Sequence, residues 1–267
     1  MAKAWLGRLE SAAVSEWTLA SDLYAGRSFR RIRDVANGLG CRFFVVSAGL
    51  GLLDGATAIP SYDLTLSPTG PGALRQRLTH APLPSEWWAS LDGSPFASSL
   101  KNLCAGRARV LIALTQPYAE MVGESLANLP EIDRNRLRIL GYGLKPYLSP
   151  ALRQQLIRYD DRLNEIIPGT RLDGASRALA HFAKLVATCP LANPEADQSL
   201  VDTALSAVQL PVPASRKRVS DAVLAIHVDR FIRLGLSATN ALKRLRSEAQ
   251  IACEEGRFRR LYEEALG

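Results

Sequence analysis

Between Ser47 and Leu66 the chain reads SAGLGLLDGATAIPSYDLTL, and residue types able to do chemistry are densest there. Ser47, Asp54, Tyr62, Asp63 and Thr65 supply hydroxyls and carboxylates, set among the apolar anchors Leu52, Leu53, Ile59, Leu64 and Leu66. Gly49, Gly51 and Gly55 let a backbone approach a ligand closely or take positive φ. Such a pattern reads as a pinned loop rather than a solvated one. A plainer alternative is a strand-to-loop crossover in which Asp63 caps a turn through its carboxylate. The glycine spacing is not the full dinucleotide-binding fingerprint.

Other reactive side chains offer less. Cys41, Cys104, Cys189 and Cys253 form no CxxC pair and stand at no zinc-ligand spacing to His80, His181 or His227. Cys41 and Cys253 read as small buried hydrophobes, and the cysteine usage suits a reducing compartment. His80 sits in a polar loop, His181 on an exposed helix face, and His227 near an apolar one. No metal and no cofactor is expected. The sequence also lacks the clustered carboxylates of a two-metal nuclease.

The elements that must position Ser47 to Leu66 follow from periodicity. Phe29, Ile32, Val35, Ala36 and Leu39 recur at helical spacing behind a possible N-cap at Ser28. RFFVVS at 42–47, RVLIAL at 109–114 and LRIL at 137–140 are buried-strand runs. Helices are expected around 85–91, through Met121, Val122, Leu126 and Leu129, through Leu152, Leu156, Tyr159 and Leu163, and through Leu179, Phe182, Leu185 and Val186. Residues 47–71 read as one long loop, and residues 1–14 are weakly patterned. Strands alternating with helices predict an α/β fold with a mostly parallel sheet flanked by helices. Ligands of such sheets bind beyond the carboxyl ends of the strands. Three loops leave those ends: Ser47 onward, Thr115-Gln116, and Gly141-Tyr142-Gly143.

Net charge is +7 over 267 residues, and 47% hydrophobic content is enough for a buried core. The charge is uneven: residues 216–267 carry 11 Lys and Arg against 7 Asp and Glu, the rest 22 against 19. A basic excess draws polyanions, and the C-terminal segment is where a backbone-binding surface is expected. No leader peptide and no run of about 20 apolar residues is seen, so a cytoplasmic protein without membrane partners is expected. The boundaries read as 1–190 for the α/β domain, 191–215 for a Pro-containing linker and 216–267 for a basic helical region. In that region a helix through Val219 to Ile232, a turn at Leu234-Gly235-Leu236, and a second helix capped by Ser237 are compatible with a helix-turn-helix or with a plain helical bundle. Arg216, Lys217, Arg218, Lys243, Arg244 and Arg246 are its candidate nucleic-acid contacts. Arg171, just before a helix start, is a further phosphate candidate.

Three segments, SDLYAGRSF at 21–29, VSAGLGLL at 46–53 and IPSYDLTL at 59–66, carry a resemblance. Together they resemble the uracil-DNA-glycosylase-like superfamily, through the glycosylase-like domain of archaeal tRNA-guanine transglycosylase and, more distantly, peroxide-stress proteins. The match covers about 46 residues. It departs where the family has a Lys-Tyr or Lys-His pair and this chain has Gly49-Leu50, so no motif lysine is placed for a Schiff base.

The resemblance implies a DNA glycosylase that flips a nucleotide, excises its base with water as the nucleophile and leaves an abasic site. A bacterial phage-defence glycosylase that removes glucosylated hydroxymethylcytosine is one relative, which points to modified phage DNA as partner. Asp63, with Asp54 second, would stabilise the cationic sugar and polarise water. Tyr62 and Tyr142 would stack on the base, Thr115 and Gln116 would read its edge, and Ser47, Gly49 and Gly51 would line the site. A non-catalytic nucleic-acid-binding module is the alternative.

Overall fold

The computed structural model describes residues 2–66, 72–74, 82–104, 106, 108–210 and 216–266, and the chain divides into two units, residues 1–210 and 211–267. Unit 1 opens with α1 (Ala2–Glu10), β1 (Thr18–Leu19), α2 (Ala20–Leu23), α3 (Arg27–Gly38), β2 (Phe44–Ser47), β3 (Gly51–Asp54) and β4 (Ala58–Ile59). It continues with α4 (Pro84–Leu91), α5 (Leu100–Cys104), β5 (Val110–Ala113), α6 (Gln116–Ala127), α7 (Glu131–Arg134) and β6 (Leu137–Leu140). Then come α8 (Pro150–Arg153), β7 (Leu156–Ile157), α9 (Leu163–Ile166), α10 (Gly174–Val186) and α11 (Pro194–Ser206).

The α/β class is as expected, with a small parallel sheet among helices. That sheet runs β5-β6-β7, with Ala113 opposite Leu140 and Leu140 opposite Ile157. Strand alternation sorts its side chains into two layers. Val110, Ile112, Leu137 and Ile139 join the core under α6, with Met121, Val122 and Leu126. Leu111, Ala113, Leu140 and Ile157 join the opposite core, filled by Leu179 and Phe182 of α10, Val201 and Leu205 of α11, and Ile32 and Val35 of α3.

Several expectations are corrected. β2 does not extend the parallel sheet; it pairs antiparallel with β3, Phe44 opposite Asp54 and Ser47 opposite Gly51. The stretch read as a loop from 47 to 71 therefore contains β3 and β4, the latter paired with β1. Leu152, Leu156, Tyr159 and Leu163 do not share one helix. The Ile139 N–H donates to the Gln155 carbonyl (2.8 Å), so the open edge of β6 captures Leu156-Ile157 as a strand. Pairing at a sheet edge outweighs helical spacing here. Residues 1–14, weakly patterned in sequence, hold α1, whose Leu6 and Leu9 are buried.

The expected linker at 191–215 is mostly α11, capped by Asn193, whose side chain accepts from Ala196 N–H (2.8 Å), with Pro194 in the first turn. Asp197 on α11 is fully buried between Arg138 (Nε to Oδ2, 2.6 Å) and Arg109 (Nε to Oδ2, 3.1 Å). Arg138 is itself fully buried on β6, on the strand face that looks toward α11. Cys41 is exposed rather than buried, while Cys253 is buried. His80 lies outside the described residues.

Unit 2 contains β8 (Lys217–Arg218), α12 (Asp221–Arg233), α13 (Ala238–Ser247), β9 (Ile251–Ala252) and α14 (Glu255–Glu264). Gly235, at φ +68°, lets the chain turn out of α12, and the Ser237 side chain caps α13. Leu224, Val228, Phe231, Leu242, Leu245 and Phe258 form its separate core. Among the described residues, no helix is long and apolar enough to cross a membrane.

Candidate functional site

The turn beyond β2 is built from the backbone outward. Ser47 Oγ accepts from the N–H groups of Gly49 (3.1 Å) and Leu50 (3.0 Å). The indole of Trp87 donates to the Ala48 carbonyl (2.7 Å), that of Trp5 to the Gly49 carbonyl (2.8 Å), and Ser94 Oγ to the Leu50 carbonyl (3.4 Å). The polar groups of this buried turn thus find partners on α1, on α4 and in the segment after α4, as burial requires.

The Tyr62 hydroxyl bonds both to Ser47 Oγ and to the Tyr24 hydroxyl. Its ring lies against Gly49, where a Cβ would stand 2.5 Å from Cε2, and packs T-shaped with Trp5, ring centroids 6.1 Å apart. Tyr118, on the first turn of α6, completes the group: burial raises the pKa of Tyr24, Tyr62 and Tyr118, and repulsion from Tyr24 raises the latter two further. The Tyr24–Tyr62 pair beside the end of β2 thus acts electrostatically on Tyr118, just past the end of β5.

Ser47, Gly49 and Gly51 are buried, so they do not line an open site. Gly49 is small because Tyr62 lies on it, and Gly51, at φ +84°, because Ala97 and Leu91 crowd it. Tyr62 is half-buried with its hydroxyl engaged by Ser47 and Tyr24. Tyr142 is likewise half-covered: its ring lies against Gly174 and its hydroxyl donates to the Asp160 carbonyl (3.1 Å).

The two carboxylates part company. Asp54 stands opposite Phe44, at the far end of the hairpin from Ser47. It accepts from Ala56 N–H (3.0 Å) and pairs with Arg42 (2.5 Å). Burial opposes its ionisation, but these donors outweigh burial and hold its carboxyl below the ordinary range. Asp54 closes a turn. Asp63 is exposed, follows Tyr62 directly, and lies over Gly72, where any Cβ would collide with its carboxylate. Thr115 and Gln116 are exposed at the carboxyl end of β5, the Gln116 amide donating to Glu120 (3.1 Å).

A cationic cluster that sequence reading missed borders the carboxyl end of β6. Asp173, buried before α10, receives Arg177 Nε (3.1 Å), Arg31 Nη1 (3.3 Å) and the outer Arg27 Nη2 (3.5 Å). It also accepts from Thr170 N–H (2.8 Å). Burial pushes its carboxyl up, and Thr170, Arg31, Arg177 and Arg27 together overcome that and hold it down. Three arginines against one aspartate leave positive charge at the surface, with Arg171 exposed alongside. A signal existed in the spacing of Arg27, Arg30 and Arg31 at the start of α3. His181 is not free on its helix; its Nδ1 meets the Tyr159 hydroxyl (2.8 Å).

In unit 2, Arg216, Lys217 and Arg218 are exposed, the last two in β8, and Lys243 is exposed on α13. Arg244 pairs with Glu248 (2.8 Å), and Arg246 donates to the Cys253 carbonyl (2.7 Å). Among the described residues, no group of three or more His, Cys, Asp or Glu side chains is placed to hold a metal ion. Compared with protein-family models, curated proteins and solved structures, the chain matches none.

Proposed function

We propose that the chain acts on nucleic acid and that unit 1 is an N-glycosylase, hydrolysing the bond between base and sugar of an extruded nucleotide. The observation that carries this reading is the placement of Asp63: an exposed carboxylate held next to Tyr62, whose ring and hydroxyl are fixed by Gly49, Ser47 and Tyr24. Bond cleavage puts oxocarbenium character on the sugar, which an adjacent carboxylate stabilises while it orients water. The exposed Thr115 and Gln116 offer polar contacts to a base edge. Arg27, Arg31 and Arg171 offer donors to the flanking phosphates. Asp54 lies at the far end of the hairpin, paired with Arg42, so the acid role is assigned to Asp63, which directly follows Tyr62.

Purified protein is incubated with DNA containing glucosylated hydroxymethylcytosine, other modified bases or none, and abasic sites are probed. The expected result is abasic product from a modified DNA, abolished in Asp63→Asn with binding retained. No abasic product across the set overturns the reading. Product from glucosylated DNA alone would fit a role in defence against phage. One observation favours a second reading, a binding module without chemistry: the exposure of Asp63, where water screens its charge. That reading expects salt-dependent binding, unchanged in Asp63→Ala, and no product.

A further inference from the structure

Unit 2 contains a half-open cavity of about 330 Å³ between α13 and α14. Leu242 and Phe258 form its base, Thr239 and Ser247 add hydroxyls, and Arg216, Lys243, Arg246 and Arg259 supply four cations against one lining carboxylate, Glu255. The volume lies at the lower end of the range for small-molecule sites.

Several charges of unit 2 are paired with one another. Asp221 is taken by Arg257 and Arg260, Glu248 by Arg244, and Glu264 by Arg260. Among the described residues, none of the four lining cations has an ion-pair partner. Arg259 stands between two paired arginines in sequence, yet faces the cavity. Two of the guanidinium groups are also fixed by carbonyls: Arg216 Nε donates to Arg246 (3.0 Å), and Arg246 Nε and Nη2 donate to Cys253 (3.3 and 2.7 Å). Like charges gathered around one cavity repel each other unless an anion joins them. Anchored guanidinium forks with N–H groups to spare match phosphate oxygens in geometry.

We infer that this cavity is a phosphate site, which holds a backbone phosphate of a nucleic-acid strand between Arg216, Lys243, Arg246 and Arg259. The inference rests on the reading that the chain acts on nucleic acid, and it separates these four cations from Lys217, Arg218 and Arg244.

The test measures binding of a fluorescent single-stranded oligonucleotide to the full chain across a salt series. Lys243 and Arg259 are exposed, so Lys243→Gln with Arg259→Gln leaves the core untouched. The control removes the same charge from α12, by Arg230→Gln with Arg233→Gln. The expected result is a loss of at least roughly tenfold in affinity for the cavity pair, the scale of two lost charge-assisted contacts. The salt slope should fall by about 0.7 in the same variant, the loss of one phosphate contact on a single strand, and the control should change neither comparably. Equal effects of the two pairs overturn the inference, because binding would then follow net charge alone. A nucleoside monophosphate that displaces the oligonucleotide at equal concentration also overturns it, by making the free nucleotide the ligand. Abasic product is read separately with Asp63→Asn, so loss of glycosylase activity with intact cavity binding distinguishes the two failures.

Discussion

Gly49 shows how a single side chain sets local geometry in unit 1. Its hydrogen atom is where the Tyr62 ring rests, and the Tyr62 hydroxyl in turn ties Ser47 to Tyr24. Gly49→Ala is expected to destabilise unit 1 by about 1–3 kcal/mol, the usual cost of overpacking. Thermal or denaturant unfolding checks it. Tyr62→Leu combined with Gly49→Ala should cost less than the sum of the single changes, because the two share one contact. Strict additivity would refute that packing.

The phenols give a pH signature. Their folded pKa values lie above the ordinary tyrosine value, so the stability they contribute is complete below about pH 10. Above it the unfolded chain releases protons that the folded chain still holds, and stability falls as pH rises. Alkaline denaturation beginning above about pH 10 should move to higher pH in Tyr62→Phe, read by ultraviolet absorbance and circular dichroism together. An unmoved transition would show that Tyr62 ionises freely.

Among elements, α11 is the one whose attachment is least obvious and most specific. Its Val201 and Leu205 join the apolar core, but Asp197 reaches the fully buried Arg138 on β6 and Arg109 just before β5. Asp197→Ala leaves Arg138 as an uncompensated buried charge, and the expected cost is about 3–5 kcal/mol. Hydrogen exchange should then rise first along Pro194–Ser206. A cost near zero would mean that the apolar contacts of α11 suffice. The same network explains a feature of β6 that reads oddly as sequence: an arginine within an apolar strand run is tolerated because Asp197 and the Asn135 and Leu137 carbonyls accept its N–H groups.

For the whole molecule, the core of residues 224–262 is separate from the three cores of unit 1. A chain ending at Leu210 is therefore expected to unfold cooperatively, and calorimetry of the full chain to show two transitions. A single two-state transition lost on truncation would contradict this division. Unit 2 is short enough to bury only about 60% of its unfolded surface, so its transition should be the weaker. Added oligonucleotide should raise that transition, by mass action on the folded state.

The α/β alternation, the positions along the chain of β2, β5 and β6, the α3 and α10 stripes, and the Ser237 cap were legible from residues alone, because periodicity and capping are local physics. Asp63 was legible as a candidate through its place in the motif. The partners of Asp54, Gly49 and Asp173 were not. Each depends on residues brought from elsewhere in the chain, such as Arg42, Tyr62 and Arg31, and spacing carries no trace of those encounters. The tertiary structure alone decided that Gly49 is covered by a tyrosine ring and Gly51 by a leucine-alanine contact. It also decided that Leu156-Ile157 completes a sheet and that, among the C-terminal cations, Arg244, Arg257 and Arg260 are ion-paired while Arg216, Lys243, Arg246 and Arg259 line a cavity. Free edges, buried charges and unpaired cations are properties of what surrounds a residue after folding.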